Sequence, residues 1–304
     1  MRLWSDELAQ RDWLRMTRAE PSAAAAASAT KDTLLRGLHA ALVDGSLATF
    51  TPAALEAIAT SIFAHVTAEA RTLERSAVTA LPARLLVLSR KDLCDALAYG
   101  LARRVCDVNA VATSADAFAA ALRRPAVLRS VLADVAKCWV ADPAVATLFQ
   151  PLFLFKGFQA VLAYRIAHAL WADGDEGAAL LLQSRASELF AVDIHPTATL
   201  GAGVMLDHGT GVVIGSTAVI GDDVYMLHGV TLGATGKPVP RGSKRHPTLG
   251  RGCTVGANAT VLGDIVVGDG ATVGAGATVT KAVPPASTVV GVNSVRGAAP
   301  RAKL

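Results

Sequence analysis

The first 190 residues have the hydrophobic spacing of amphipathic helices. Apolar side chains recur at intervals of three and four, which places them on one face of a helix. Thr51-Pro52 offers an N-cap followed by proline at the first helical position, and Ser89 is the expected cap of a later helix. We therefore predict an α-helical domain over residues 1–190. Three of its stripes are Leu34, Leu35, Leu38, Ala41 and Leu42; Leu55, Ile58, Ala59, Ile62 and Phe63; and Val127, Leu128, Val131, Leu132 and Val135.

Near Asp193 the period of the aliphatic residues changes to six. A hexapeptide repeat is typical of a parallel β-helix, in which each unit forms one short strand and a turn. Stacked coils bury the aliphatics in columns, and the frequent glycines suit the turns. We predict a β-helix over residues 191–292 and a short tail over 293–304, giving a multi-part α+β fold. The repeat positions are Ile194, Leu200, Leu206, Ile214, Ile220, Met226, Leu232, Leu249, Val255, Val261, Val267, Val273 and Val279.

Two breaks interrupt the repeat. The step from Leu206 to Ile214 is 8 residues, and the step from Leu232 to Leu249 is 17. The second is too long for a turn, so residues 233–248 are predicted to leave the β-helix as a loop, and inserted loops on solenoids commonly form the binding face. The loop is either a solvated segment or a site for an anion such as a carboxylate or phosphate. Its cations are Lys237, Arg241, Lys244, Arg245 and His246.

Composition limits the class of protein. With 52% hydrophobic and 18% charged residues, the 304-residue chain is expected to fold around a large core. The net charge of +4 is too small to predict a nucleic-acid partner. No stretch reaches the ~20 apolar residues of a membrane span, and residues 1–20 lack the apolar region of a signal peptide.

These features favour a cytoplasmic protein. Ala302-Lys303-Leu304 is similar to a peroxisomal address, which would matter only in a eukaryote. The four cysteines lack metal-binding spacing and are expected to be reduced, buried side chains: Cys94, Cys106, Cys138 and Cys253.

Asp207-His208 places charge where the repeat otherwise has an aliphatic column. A neutral imidazole with an unperturbed pKa near ~6.5 is a natural general base at physiological pH. Asp193 precedes His208 by 15 residues, close to one coil of about 18 residues. We predict that the two lie on adjacent coils, where the carboxylate could orient the ring. The alternative is a histidine with a purely structural role on the coil surface.

Several motifs resemble those of the serine acetyltransferase family of hexapeptide-repeat acyltransferases, over about residues 120–290. Upstream of the β-helix, the segments 124–144, 156–158 and 164–166 are also similar to the family. The motifs in the β-helix are Val192-Asp193-Ile194-His195-Pro196, Leu206-Asp207-His208-Gly209-Thr210-Gly211, Thr231-Leu232-Gly233-Ala234-Thr235-Gly236-Lys237 and Arg245-His246-Pro247.

This resemblance implies a left-handed β-helix and a serine O-acetyltransferase, which would make O-acetyl-L-serine and CoA from L-serine and acetyl-CoA in cysteine biosynthesis. His208 would take the serine proton, and Asp193 would hold His208. Asp142 and Asp207 would bind the serine ammonium group. Arg245 and His246 would bind its carboxylate.

The resemblance also implies that acetyl-CoA is the co-substrate and that no metal is needed. His195 is expected to be structural, and His228 to have either a supporting or a direct role. The residues expected to contact acetyl-CoA are Gly233, Thr235, Gly236, Lys237, Gly256, Ala257, Gly274 and Ala275.

The family assembles as trimers with active sites between subunits, paired into hexamers through the helical domain, so a homo-oligomer is expected. Three features depart from the family pattern. Ala234 replaces a glycine in the loop, and Ser216 replaces a glutamate, which leaves feedback inhibition by cysteine open. The last residue is Leu304 rather than the isoleucine that docks into O-acetylserine sulfhydrylase, so weak or no complex with that enzyme is expected.

The residues leave three alternatives open. The enzyme could acetylate another hydroxyl acceptor such as homoserine or a sugar, although a sugar would not need both Asp142 and Arg245. A zinc carbonic anhydrase on the same repeat would need three histidines converging on a metal. A non-catalytic scaffold of the cysteine synthase type would not need Asp193 with His208.

Overall fold

The computed structural model describes residues 30–296. The expectations for residues 1–20 and for Ala302-Lys303-Leu304 therefore lie outside the described residues. Within the described range, the structure contains no helix that is both long and apolar enough to cross a membrane. The chain forms two compact units, which divide between Leu154 and Phe155.

The first unit is helical, as predicted. The predicted stripes form its core: Leu34, Leu35 and Leu38 are fully buried, as are Leu55 and Ile62. Its elements are α1 (Lys31–Val43), a 3-10 turn (Ser46–Thr49), α2 (Pro52–Leu73), α3 (Ala80–Ala83) with a π-helical segment (Arg84–Leu88), α4 (Leu93–Val105), α5 (Val111–Leu122), α6 (Pro125–Ala141) and a second π-helical segment (Gln150–Leu154).

One of the two predicted helix caps is confirmed. Thr51 caps α2, and its side chain accepts a hydrogen bond from the backbone N–H of Ala54. The prediction for Ser89 is wrong, because the π-helical segment carries the preceding helix up to Leu88. The N-cap of α4 is Asp92, whose side chain accepts from Asp95 N at 2.8 Å.

The second unit contains two helices and the β-helix. The change from helix to strand falls between Phe190 and Val192, where the hydrophobic period predicted it. The compact unit begins earlier than that change, because both helices pack on the first coil: α8 contacts β1 and α7 contacts β3. Its elements are α7 (Lys156–Ala172), α8 (Glu176–Phe190), β1 (Val192–Ile194), β2 (Thr199–Leu200), β3 (Met205–Leu206), β4 (Val212–Ile214), β5 (Val219–Ile220), β6 (Tyr225–Met226), β7 (Thr231–Gly233), β8 (Thr248–Leu249), β9 (Thr254–Val255), β10 (Thr260–Leu262), β11 (Val266–Val267), β12 (Thr272–Val273), β13 (Thr278–Val279), β14 (Thr288–Val290) and β15 (Ser294–Arg296).

The strands form three parallel sheets that wind into a β-helix of about five turns. The first sheet has the order β1-β4-β7-β10-β13, the second β11-β8-β5-β2, and the third begins β3-β6-β9-β12-β14. Register places the repeat aliphatics directly above one another, for example Ile194 on Ile214 and Ile214 on Leu232. The period of six thus becomes three buried columns, one on each sheet.

The two breaks in the repeat have separate causes. The first lies between β3 and β4: Leu206 pairs with Met226 and Val213 with Thr231, so six residues, 207–212, stand where the next coil has four, 227–230. The second is the predicted loop, which leaves after β7 and returns at β8, so that it spans residues 234–247. Within the segment predicted to be a tail, residues 294–296 form β15, which pairs antiparallel with β14.

Helix α7 lies so close to the first coil that its second residue must be glycine. A Cβ atom on Gly157 would lie 1.9 Å from the carbonyl oxygen of Leu206. Backbone atoms cannot give way to such a contact, so the helix start would have to move off the corner that carries His208. Lys156, the preceding residue, hydrogen-bonds Thr210 on the same corner.

We expect Gly157→Ala to destabilise the protein by about 1–3 kcal/mol through overpacking. Gly177→Ala is the matched control, because a Cβ atom on this exposed helical glycine would have no neighbour closer than 4.0 Å. That control should be neutral or stabilising by up to about 1 kcal/mol. Urea unfolding followed by circular dichroism measures both, and equal stabilities would contradict the packing argument.

Candidate functional site

His208 lies on the corner between β3 and β4, here called the histidine corner (residues 207–211). The chain turns sharply there, with positive φ at His208 (59°), Gly209 (72°) and Gly211 (78°). A non-glycine residue with positive φ is uncommon, and such strain often marks functional positions. The turn leaves the imidazole pointing outward, with its side chain 72% exposed.

Asp207 is held more firmly than its neighbour. Its Oδ2 accepts a hydrogen bond of 2.5 Å from the hydroxyl of Tyr225, which lies on the strand stacked against β3. Its Oδ1 lies 3.9 Å from Nε2 of His208. The histidine corner therefore presents a fixed carboxylate beside an exposed imidazole.

The same edge of the β-helix continues downward as a column of equivalent positions. Backbone N–H groups link the corners: Gly229 donates to Thr210 (2.8 Å), Asn258 to His228 (2.9 Å) and Gly276 to Ala257 (2.8 Å). His228 thus lies one coil below the histidine corner, and its ring meets that of His208 edge-on, with centroids 6.0 Å apart and planes at 69°.

Four of the residues predicted to bind acetyl-CoA lie further down this edge. Gly256-Ala257 and Gly274-Ala275 follow β9 and β12 on the third and fourth coils. A Cβ on Gly256 would lie 2.5 Å from the nitrogen of Ala275, so coil stacking alone requires glycine at this position. Ala275 is exposed and Ala257 half-buried, which leaves a shallow, small-residue surface below the two histidines.

A second group lies on a different edge, between the first and second sheets. This edge is called the loop corner and is defined by His195, Gly215 and His246. The backbone N–H of His195 donates to the carbonyl oxygen of Ile214 at 3.0 Å, so His195 lies above the start of the equivalent corner in the second coil. A Cβ on Gly215 would lie 2.1 Å from Nε2 of His246, so this glycine makes room for the ring.

His246 has a defined tautomer. Its Nδ1 accepts a hydrogen bond from the backbone N–H of Thr217 at 3.1 Å and lies 2.8 Å from the Thr217 hydroxyl. That hydroxyl oxygen already accepts hydrogen bonds from the backbone N–H groups of Arg245 and His246. The hydroxyl proton is therefore directed at Nδ1, and the ring proton belongs on Nε2. Burial, followed by the charges of Arg245 and Lys244, lowers the pKa of His246.

Asp193 faces the loop corner rather than His208. Its Oδ1 accepts a 2.6 Å hydrogen bond from Nε2 of Gln183 in α8. The pKa of His195 is lowered by burial, the largest cause, and also by the charge of Arg245. The negative charge of Asp193 acts in the opposite direction and raises it in part. Between residues 30 and 296 of one chain, Asp193 makes neither a hydrogen bond nor an ion pair with His208.

The loop supplies exposed cations. Nη2 of Arg245 lies 3.3 Å from Oγ of Ser216, and Nζ of Lys244 donates to the carbonyls of Thr217 (2.9 Å) and His246 (3.0 Å). Lys237 is exposed.

The other predicted loop residues also lie near this edge. Gly233 ends β7 and accepts from Gly263 N, and Thr235 packs beside Gly263. Gly236 has a φ of 76° in open space.

Asp142 belongs to the first compact unit, whereas every other predicted site residue belongs to the second. It follows α6, and its Oδ1 accepts from the backbone N–H of Ala144 at 2.8 Å. No group of three or more histidine, cysteine, aspartate or glutamate side chains in the described chain could hold a metal ion.

Three residues that hold the site were not predicted from the sequence. Tyr225 hydrogen-bonds Asp207 and holds it in place, and Thr217 fixes the tautomer of His246. Gln183 donates a hydrogen bond to the carboxylate of Asp193. Tyr225 stacks on Met205, two residues before Asp207, and the two extra residues after Leu206 hide this alignment from a regular period. Gln183 is on a helix, so nothing in the repeat could have indicated it.

Two family models match the chain. Serine acetyltransferase, N-terminal, matches residues 52–163, and bacterial transferase hexapeptide (six repeats) matches residues 246–281. The first match extends the family resemblance well upstream of residue 120, where the sequence motifs had placed its limit.

Curated relatives agree with these models. The chain is 45% identical over 258 residues to probable serine acetyltransferase 1 of Oryza sativa subsp. japonica, covering 84% of this chain and 82% of the relative. It is 42% identical over 240 residues to serine acetyltransferase 5 of Arabidopsis thaliana, covering 78% and 76% of the two chains.

Solved structures show the same fold. Soybean serine acetyltransferase complexed with serine is 41% identical, with a TM-score of 0.74 over 78% of this chain and 98% of that chain. The enzyme from Brucella abortus strain S19 in complex with coenzyme A is 37% identical, with a TM-score of 0.73 over 77% and 94%. Sequence, fold and motifs agree, and the chain belongs to the serine acetyltransferase family.

Proposed function

We propose that this protein transfers the acetyl group of acetyl-CoA to the hydroxyl of L-serine, giving O-acetyl-L-serine and CoA for cysteine biosynthesis. The observation that carries the proposal is the exposed imidazole of His208 at the top of an edge whose lower positions are small residues. A relative bound to serine and another bound to coenzyme A support the two substrates.

The chemistry is a direct transfer. His208 removes the proton from the serine hydroxyl, and the oxygen attacks the thioester carbonyl carbon. The tetrahedral intermediate collapses, the carbon–sulfur bond breaks, and the CoA thiolate recovers the proton from His208. General-base assistance of this kind contributes about 10²–10⁴-fold to the rate.

Serine carries both charges, so its site needs groups of both signs. Asp207 beside His208 offers a carboxylate for the ammonium group. Arg245 and the Nε2–H of His246 offer donors for the carboxylate, and charge-assisted hydrogen bonds of this kind are strong.

We place the complete site between two copies of the chain. The histidine corner joins the third sheet to the first, whereas the loop corner joins the first to the second, so one chain presents the two groups on different edges. A neighbouring copy in a trimer would supply the missing half. The same arrangement would bring a partner's Asp193 to His208, the contact that the single chain lacks.

The substrate assignment predicts acceptor-dependent release of CoA thiol from acetyl-CoA. L-serine should give faster release than L-homoserine or a galactoside, and His208→Ala should reduce the serine rate by about 10²–10⁴-fold. His65→Gln, a change on helix α2 of the first unit, is the control and should keep wild-type activity. Equal release with the three acceptors would reject the assignment.

The shared site predicts complementation between inactive variants. Arg245→Leu removes a charged partner worth about 1.5–3 kcal/mol, so kcat/KM for serine should fall by about 10–100-fold. Co-expressed with His208→Ala, it should restore up to about a quarter of wild-type activity, because random assembly pairs an intact His208 with an intact Arg245 at one interface in four.

The assay should be made at serine concentrations well below KM, with each variant purified alone as the reference. A site contained within one chain predicts only the average of the two variants. That result would reject the intersubunit arrangement without affecting the substrate assignment.

The lowered pKa of His246 predicts a neutral ring at neutral pH. The unfolded chain takes up this proton near ~pH 6.5 and the folded chain only at lower pH, so stability should decrease as pH falls below that value. In NMR titrations, Arg245→Leu should move the pKa part of the way back towards 6.5. Arg241→Leu, in the same loop, should leave it unchanged, and equal shifts in both variants would contradict the assigned cause.

A further inference from the structure

His228 has a buried ring nitrogen without a hydrogen-bond partner. Its Nδ1 is enclosed and pairs with no group in the described part of the chain. Buried polar atoms are nearly always hydrogen-bonded, so an exception beside the proposed base calls for an explanation. Nε2, the other nitrogen of the ring, is not among the buried atoms that lack a partner.

The unpaired Nδ1 decides the tautomer of His228. A neutral imidazole carries one N–H and one lone pair. Buried N–H groups without a partner are rarer in proteins than under-satisfied acceptors, so the proton belongs on Nε2. His228 therefore presents a single N–H donor towards the less enclosed side of its ring.

The position of that donor matches the path of the reaction. His228 lies directly below the histidine corner and directly above Ala257, within one column of backbone hydrogen bonds. Its ring centroid is 6.0 Å from that of His208. Rings this close can both reach a group bound beside them on this edge, with the coenzyme continuing down the small-residue edge.

We propose that His228 is a catalytic residue whose Nε2–H donates a hydrogen bond to the thioester oxygen as it becomes an oxyanion. This inference rests on the proposed function. When the serine oxygen attacks, the electron pair of the carbonyl bond moves onto this oxygen. It returns as the carbon–sulfur bond breaks. His228 keeps its proton throughout, while His208 alone accepts and returns the serine proton.

The orphaned nitrogen also argues against a second base at this position. A base that accepts a proton at Nε2 or Nδ1 becomes an imidazolium with two N–H donors. The Nδ1–H of His228 would then be buried without an acceptor, which is costly. A neutral donor avoids that cost, and a fixed donor aimed at developing charge is what an oxyanion requires.

Three substitutions separate the donor from the ring. His228→Phe keeps an aromatic ring without N–H, His228→Ala removes both, and His228→Gln restores an N–H near the position of Nε2. We expect kcat to fall by about 10²–10³-fold in the Phe and Ala variants, while the Gln variant stays within tenfold of wild type. KM for serine and for acetyl-CoA should change by less than threefold.

A pH profile supplies a readout that packing alone would not give. Loss of a neutral donor should lower the plateau of kcat without moving the acid limb of the profile. Activity of the Phe variant within threefold of wild type would overturn the proposal, as would a displaced acid limb or equal losses in all three variants.

Folding and function failures can be told apart. Melting temperature and calorimetric binding of CoA should match wild type in each variant, and if the Phe variant does not fold, the Ala and Gln variants carry the same comparison. Wild-type protein that releases no CoA with serine would reject the proposed function itself. Active wild type with an active Phe variant rejects only the role of His228.

Discussion

The register between stacked coils is the constraint on which the rest of the second unit depends. Ile194, Ile214 and Leu232 form one buried column, and the parallel ladder fixes each neighbour above the next. Because every coil is locked in this way, each corner of one coil lies above the corner of the next. Side chains far apart in sequence, such as Asp207 and Tyr225, are thereby brought within 2.5 Å.

Much of this architecture could be predicted from the sequence, since the period of six encodes the columns directly. The length of the loop and the break after Leu206 also indicated where the chain leaves the regular repeat. The motifs around His208 and Arg245 identified the family before any geometry was known. What these features share is that each depends on local spacing or on residue type.

The parts that escaped prediction depend on contacts between different kinds of element. Asp193 hydrogen-bonds Gln183 of a helix, and no periodicity links a helix residue to a strand residue. The cap at Asp92 instead of Ser89 depends on a π-helical segment, which has no simple sequence signature. The placement of His208 and Arg245 on separate edges follows only when the three sheets are traced.

Helix α7 also covers the first coil of the β-helix, which has no preceding coil to pair with its backbone. The hydroxyl of Tyr164 donates to the carbonyl of Ala198 at 2.6 Å and accepts from Leu200 N at 3.2 Å, and Arg165 donates to the carbonyl of Gly201 at 2.7 Å. These are backbone groups that a preceding coil would otherwise pair. At the opposite end, β15 runs antiparallel along β14. The outer edges of β2 and β14 are thus occupied, which makes these two strands poor templates for pairing with another chain.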